Sequence, residues 1–209
     1  MSAINDTSIN EVKVMLGDAN DPVANKISWN PVKRGGANFQ IHKMVERGLK
    51  IVVRRTFRAL VFYSSFMIPG LGLLLYISPI MYQQGADAAG TISLVIGITF
   101  TVSSFFMWAR NQGMTFDKAS GTYFKGKRYD SLIKDKPTSQ GNLSDIYALQ
   151  IISESVRSDN GSFRSYELNL VFRDGKRANV MEHSKSSALD KSAKKLAGYL
   201  NVPVWKAKY

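Results

Sequence analysis

The sequence predicts a membrane α-helical hairpin joined to an α+β module, an antiparallel sheet closed by a C-terminal helix. Three observations predict it. Two uncharged apolar runs, Ala59 to Tyr82 and Ala88 to Ala109, lie back to back in the 209-residue chain. From Met114 to His183, apolar residues alternate with polar ones and glycine-bearing turns interrupt them. From Ser187 to Leu200 the apolar spacing becomes helical.

Each apolar run is long enough to cross a bilayer, which takes about 20 residues for roughly 30 Å of hydrocarbon. The linker QQGAD makes them a hairpin. A signal peptide does not fit, because the first run starts far from the N-terminus and a second run follows. Lys50, Arg54, Arg55 and Arg58 precede the first run, Arg110 and Lys118 follow the second, and the linker holds only Asp87. The positive-inside rule then places both termini in the cytoplasm. Pro69, Gly70 and Gly72 are expected to weaken or kink the first helix. Ala89, Ser93, Gly97 and Thr101 recur every four residues and make a small-residue ridge for packing on the first helix. Neither run holds an ionisable residue, which argues against transport.

Residues 1–30 are polar and weakly patterned. They are expected to form a flexible arm, with a short helix around Ile9 to Leu16. Residues 31–58 are basic and amphipathic: Met44, Val45, Leu49, Val52 and Val53 oppose Lys43, Arg47, Lys50 and Arg54. Such a segment can lie among anionic headgroups. The membrane hairpin spans residues 59–109, and the final domain spans 113–209.

In that domain, Met114 to Asp117 and Thr122 to Lys125 read as a hairpin, and Lys127 to Gly141 as a charged loop. Asp145 to Arg157, Arg164 to Phe172 and Lys176 to His183 read as strands joined by tight turns at Asn160-Gly161 and Asp174-Gly175. On the second of these, Tyr166, Leu168, Leu170 and Phe172 face one way, and Glu167 and Asn169 the other. In the closing helix Ser187 is the expected cap, Leu189, Ala193, Leu196, Ala197 and Leu200 form the apolar stripe, and Asn201-Val-Pro203 ends it.

The segments FDKASGTYFKG, YALQIISE, SYELNLVFRDGKRANV and KLAGYLNVPVW, placed after two spans, resemble small bacterial inner-membrane proteins with a cytoplasmic domain of the pleckstrin-homology (PH-like) type. The resemblance covers about residues 29–209. It implies a PH-like barrel, a multi-pass inner-membrane location and no catalytic residues. It also implies a non-enzymatic role, in which the domain binds a partner protein or anionic lipid at the membrane. By looser analogy, some proteins of this layout are immunity proteins that neutralise membrane-acting, pore-forming toxins.

The composition bounds the chemistry. The chain has no cysteine and two histidines, so thiol catalysis and cysteine-rich or multi-histidine metal sites are excluded. No cofactor or metal is expected. A net charge of +12 points to acidic partners. No nucleic-acid recognition motif accompanies it. The partners expected are the lipid bilayer, a protein, and further copies of the chain. The cations expected at the contact are Lys33, Arg34, Lys50, Arg54, Arg55, Arg58, Lys125, Lys127, Arg128, Arg173, Lys176 and Arg177. Gly121 to Lys127 has phosphate-loop spacing, but Arg128 replaces the Mg²⁺-binding hydroxyl and the segment lies in a hairpin. His183 beside Glu182 and Ser184 is an incomplete catalytic set and reads as a surface histidine.

Overall fold

The computed structural model describes residues 13–15, 21–33, 36, 39–110, 112–126, 128–132, 138–158 and 161–208. The chain forms two compact units: residues 39–135 with 139–141, and residues 1–38 with 136–138 and 142–209. Together they contain two long apolar helices and two mainly antiparallel sheets, an α+β mixture.

The unit holding the apolar helices starts with β2 (His42–Arg47) and β3 (Lys50–Arg55). The short strand β1 (Lys13–Met15) belongs to the other unit. The β2–β3 turn needs Gly48, whose φ of 57° is the left-handed conformation that glycine adopts without strain. The amphipathic segment is therefore a β-hairpin. Valine and isoleucine favour a pleated, half-buried surface, and Ile51 and Val53 are buried there.

Thr56 joins this hairpin to α1 (Phe57–Gly72). Its Oγ1 accepts the N–H of Ala59 at 3.2 Å and donates to the Gln40 carbonyl at 2.7 Å. The helix does not break at Pro69. It runs on to Gly72, widens into a π-turn at Leu73–Ile77 and resumes as α2 (Ser78–Gln83). The second apolar helix is α3 (Asp87–Arg110). Beyond it, β4 (Met114–Asp117) pairs with β3, and β5 (Thr122–Lys125) pairs with β4. With β6 (Gln140–Asn142) the sheet order is β2-β3-β4-β5-β6. The strands on both sides of the helical hairpin thus belong to one sheet.

The other unit contains β7 (Ile146–Ser158), β8 (Gly161–Phe172), β9 (Arg177–His183), α4 (Ser186–Leu200) and β10 (Val204–Lys208). Its sheet order is β1-β10-β7-β8-β9, with β10 parallel to β7 and the other pairs antiparallel. Leu189, Ala193 and Leu196 of α4 are buried over this sheet, as the helical stripe predicts. Ser187 is not the cap: Lys185 holds that position without a side-chain bond.

Several expectations are corrected here. The described strands of residues 113–209 are divided between two sheets, where one closed PH-like barrel is expected. The first of these strands pair with β3, the later ones form a separate sheet, and neither sheet closes on itself. Pairing β4 with β3 gives its backbone a ladder partner across the helical insertion. Of the helix expected around Ile9 to Leu16, the described part, Lys13–Met15, is a strand paired with β10. Its β-branched Val14 suits that role.

Candidate functional site

The two apolar helices pack through small residues. A Cβ at Gly97 would lie 2.9 Å from the Gly70 carbonyl oxygen and 2.9 Å from the Leu74 nitrogen, so only glycine allows this approach. Ser93 and Gly97 are buried, Thr101 is half-buried and Ala89 is exposed; Gly90 takes the inward place instead. Hydroxyls add inter-helix bonds. Ser104 donates to the Tyr63 carbonyl at 2.7 Å, and Ser78 to the Gly90 carbonyl at 3.0 Å. Large apolar side chains point away from this seam: Ile68 is 69% exposed, Leu75 69% and Ile92 61%.

At the helix bases, Arg55 donates to the Trp108 carbonyl at 2.5 Å and its guanidinium lies 4.9 Å from the Trp108 ring centroid. It therefore ties the start of α1 to the end of α3 rather than facing outward. Lys50 pairs with Asp117 at 2.8 Å. This bond holds the Asp117 carboxyl below its ordinary range. Arg54 and Arg58 are exposed, as are Lys125 and Arg128. Arg34 and Lys127 lie outside the described residues.

In the other unit, the remaining expected cations have separate tasks. Arg173 stacks over the Tyr147 ring at 5.4 Å, and Lys176 pairs with Asp174 at 2.8 Å within its turn. Arg177 is half-buried; it donates to the Asn30 carbonyl at 2.9 Å and to Gln150 Oε1 at 3.1 Å. Lys33 pairs with Glu182 at 3.0 Å.

These last contacts belong to a feature the sequence reading missed. Residues 21–33 form an ordered strap across the sheet face opposite α4. Asp21 starts it, accepting the N–H groups of Val23 and Ala24 at 2.8 and 3.1 Å and the Tyr147 hydroxyl at 2.9 Å. Burial opposes its ionisation, but these three donors prevail and hold the carboxyl below its usual range. Ala24 and Ile27 pack with Ala148, Val171 and Trp205. Further along, Glu167 and Glu182 stand directly opposite one another on β8 and β9, each 5% exposed. Glu167 accepts the strap N–H groups of Val32 and Lys33 at 2.8 and 3.0 Å and the Asn169 amide. Burial pushes the Glu167 carboxyl above its ordinary value, and neighbouring Glu182 adds to this.

The alternation in β8 is as read, with Leu168 and Leu170 facing α4 and Glu167 and Asn169 opposite. The polar face is covered, however, not solvated. Within the strand, Val171 on that same face was the available signal.

His183 is buried rather than superficial, and its Nδ1 accepts the Lys185 N–H at 2.8 Å. That occupied nitrogen leaves it poorly placed as a base toward Ser184. Gly121 lies in the β4–β5 turn, so the phosphate-loop spacing has no strand-to-helix context.

No protein-family model, curated protein or solved structure matches the chain.

Proposed function

We propose that the chain is a multi-pass membrane protein whose helical hairpin anchors a non-catalytic binding module at the bilayer surface. The surface of the two helices carries this reading. In their most apolar 18-residue stretches, 11% and 17% of residues are buried. A core helix of a water-soluble protein would be mostly covered, because exposed apolar surface costs about 25 cal/mol per Å². Hydrocarbon is the solvent that removes this cost. Aromatic and cationic groups at the base, Trp108 and Arg55, suit the interface between lipid and water.

The proposal includes the compartment that the resemblance implies: a bacterial inner membrane with both termini in the cytoplasm. The charge asymmetry about the Asp87 linker supports that orientation. The two sheet units then stand on the cytoplasmic side. Their role is to bind there; the His183 geometry, with Nδ1 already accepting the Lys185 N–H, favours binding over chemistry.

Alkaline carbonate extraction of the full chain tests the anchor. Retention in the pellet is expected, and release into the supernatant refutes it. The chain lacks cysteine, so single introduced thiols report orientation. A membrane-impermeant reagent should label Gln84→Cys in intact cells, and Lys191→Cys only after permeabilisation. The reverse pattern overturns the topology.

A further inference from the structure

We propose that the exposed face of the β2–β3 hairpin is a binding site for the anionic headgroups of the bilayer that the helices enter, with Lys43 and Arg54 at its centre; this rests on the membrane reading above. In the hairpin register, Lys43 lies opposite Arg54, Val45 opposite Val52, and Arg47 opposite Lys50. Strand residues two apart share a face. All four cations therefore stand on one face, around Val45 and Val52. They are exposed, whereas Ile51 and Val53 on the other face are buried.

Directly opposed side chains in an antiparallel pair have Cβ atoms about 5 Å apart, and like charges there are destabilising. Elsewhere the chain answers this repulsion internally. Glu167 and Glu182 are matched by strap amides and by Lys33. Lys50 is matched by Asp117. Lys43 and Arg54 receive no counter-ion among the described residues.

Their position identifies the missing anion. Arg54 is three residues from Phe57, where α1 begins. Arg58 is exposed in the first turn of that helix, which contains no acidic residue. A cation at a helix N-terminus opposes the helix dipole unless an anion is present. Lipid phosphates at the foot of the helix supply negative charge at this end of the hairpin. The two cationic pairs consequently differ. The one nearer the helix is unmatched, and the one at the turn already has a carboxylate.

The test uses the full chain in neutral detergent, with phosphatidylglycerol, phosphatidylcholine or inorganic phosphate added, and reads thermal unfolding. Phosphatidylglycerol should raise the Tm of the unmodified chain, while phosphatidylcholine and phosphate should not. A basic residue near an anionic surface contributes roughly fivefold in affinity, so Lys43→Gln/Arg54→Gln should weaken the lipid response about 25-fold. Without lipid, that variant should unfold at the same temperature or higher, because a repulsive pair has gone. With phosphatidylglycerol added, the unmodified chain should therefore be the more stable of the two, whichever leads without lipid. Lys191→Gln/Lys194→Gln on α4 should leave the response unchanged.

The proposal is overturned if the hairpin variant keeps the full response, if the α4 variant loses it equally, or if free phosphate acts as strongly as the lipid. Carbonate extraction separates the two readings. A chain that stays membrane-bound but shows no hairpin-dependent lipid response refutes this site and leaves the anchor standing. A chain that is extracted refutes the anchor.

Discussion

Replacing Glu167 by glutamine tests the strap. The carboxylate accepts the N–H groups of Val32 and Lys33 at 2.8 and 3.0 Å. A glutamine can present its oxygen to only one of them, and its amide hydrogens then face the other donor. A hydrogen bond to a charged group contributes about 1.5–3 kcal/mol. Losing one is offset in part because no charge is then buried beside Glu182. The expected net loss at pH 7 is about 1–2 kcal/mol.

The pH dependence is more discriminating. Burial raises the folded-state value of Glu167 above its ordinary 4.5. Between those two values the folded chain binds more proton than the unfolded chain, so stability rises as pH falls through that window. His183 acts in the opposite sense. Burial and then Lys185 lower its value below 6.5, so its contribution is lost as pH falls. Subtracting the Glu167→Gln curve from that of the unmodified chain removes the His183 contribution. The assay is urea unfolding in detergent, followed by tryptophan fluorescence; two of the three tryptophans, Trp29 and Trp205, pack in the strap cluster. The difference should favour the unmodified chain increasingly as pH falls toward 4.5. A flat difference, or one growing with pH, refutes this account of the strap.

The helix seam and the strap core give two further predictions. Gly97→Ala and Gly97→Leu should lower the Tm in that order, overpacking costing about 1–3 kcal/mol, because a Cβ meets the backbone of α1 and the π-turn at 2.9 Å; unchanged melting of Gly97→Leu would mean that the helices do not meet there. Trp205→Ala should cost about 3–5 kcal/mol, since the ring is 2% exposed and packs edge-on to Tyr147 at 5.9 Å. A loss below 1 kcal/mol in urea unfolding would show that the strap cluster is not packed as described.

The basic segment shows how far a one-dimensional pattern reaches. Lys43, Arg47, Lys50 and Arg54 are spaced by four, three and four residues, which is helical periodicity. The same spacing, folded at Gly48 and Leu49, brings the four to one face of a two-stranded ribbon. The grouping of charges was legible, but the secondary structure was not. Its strand character depends on β4, which lies beyond both apolar helices in the sequence and pairs with β3.

Local sequence alone determined the elements whose partners are neighbours in the chain: the two apolar helices, the β4–β5 and β8–β9 hairpins and α4. Turn residues and apolar periodicity act over a few positions, and their signal does not depend on the rest of the molecule. Tertiary structure decided what is joined across long gaps. It placed β3 beside β4 and gave β7 the parallel neighbour β10. It also laid residues 21–33 over Glu167 and Glu182. A polar residue on an alternating strand reads as solvent-facing until a distant segment supplies the amides and the ammonium that allow it to be buried. The same accounting separates the cations. Lys33, Lys50, Arg55 and Arg177 are engaged within their own units, whereas Lys43 and Arg54 stand opposed on an exposed face, and composition could not distinguish them.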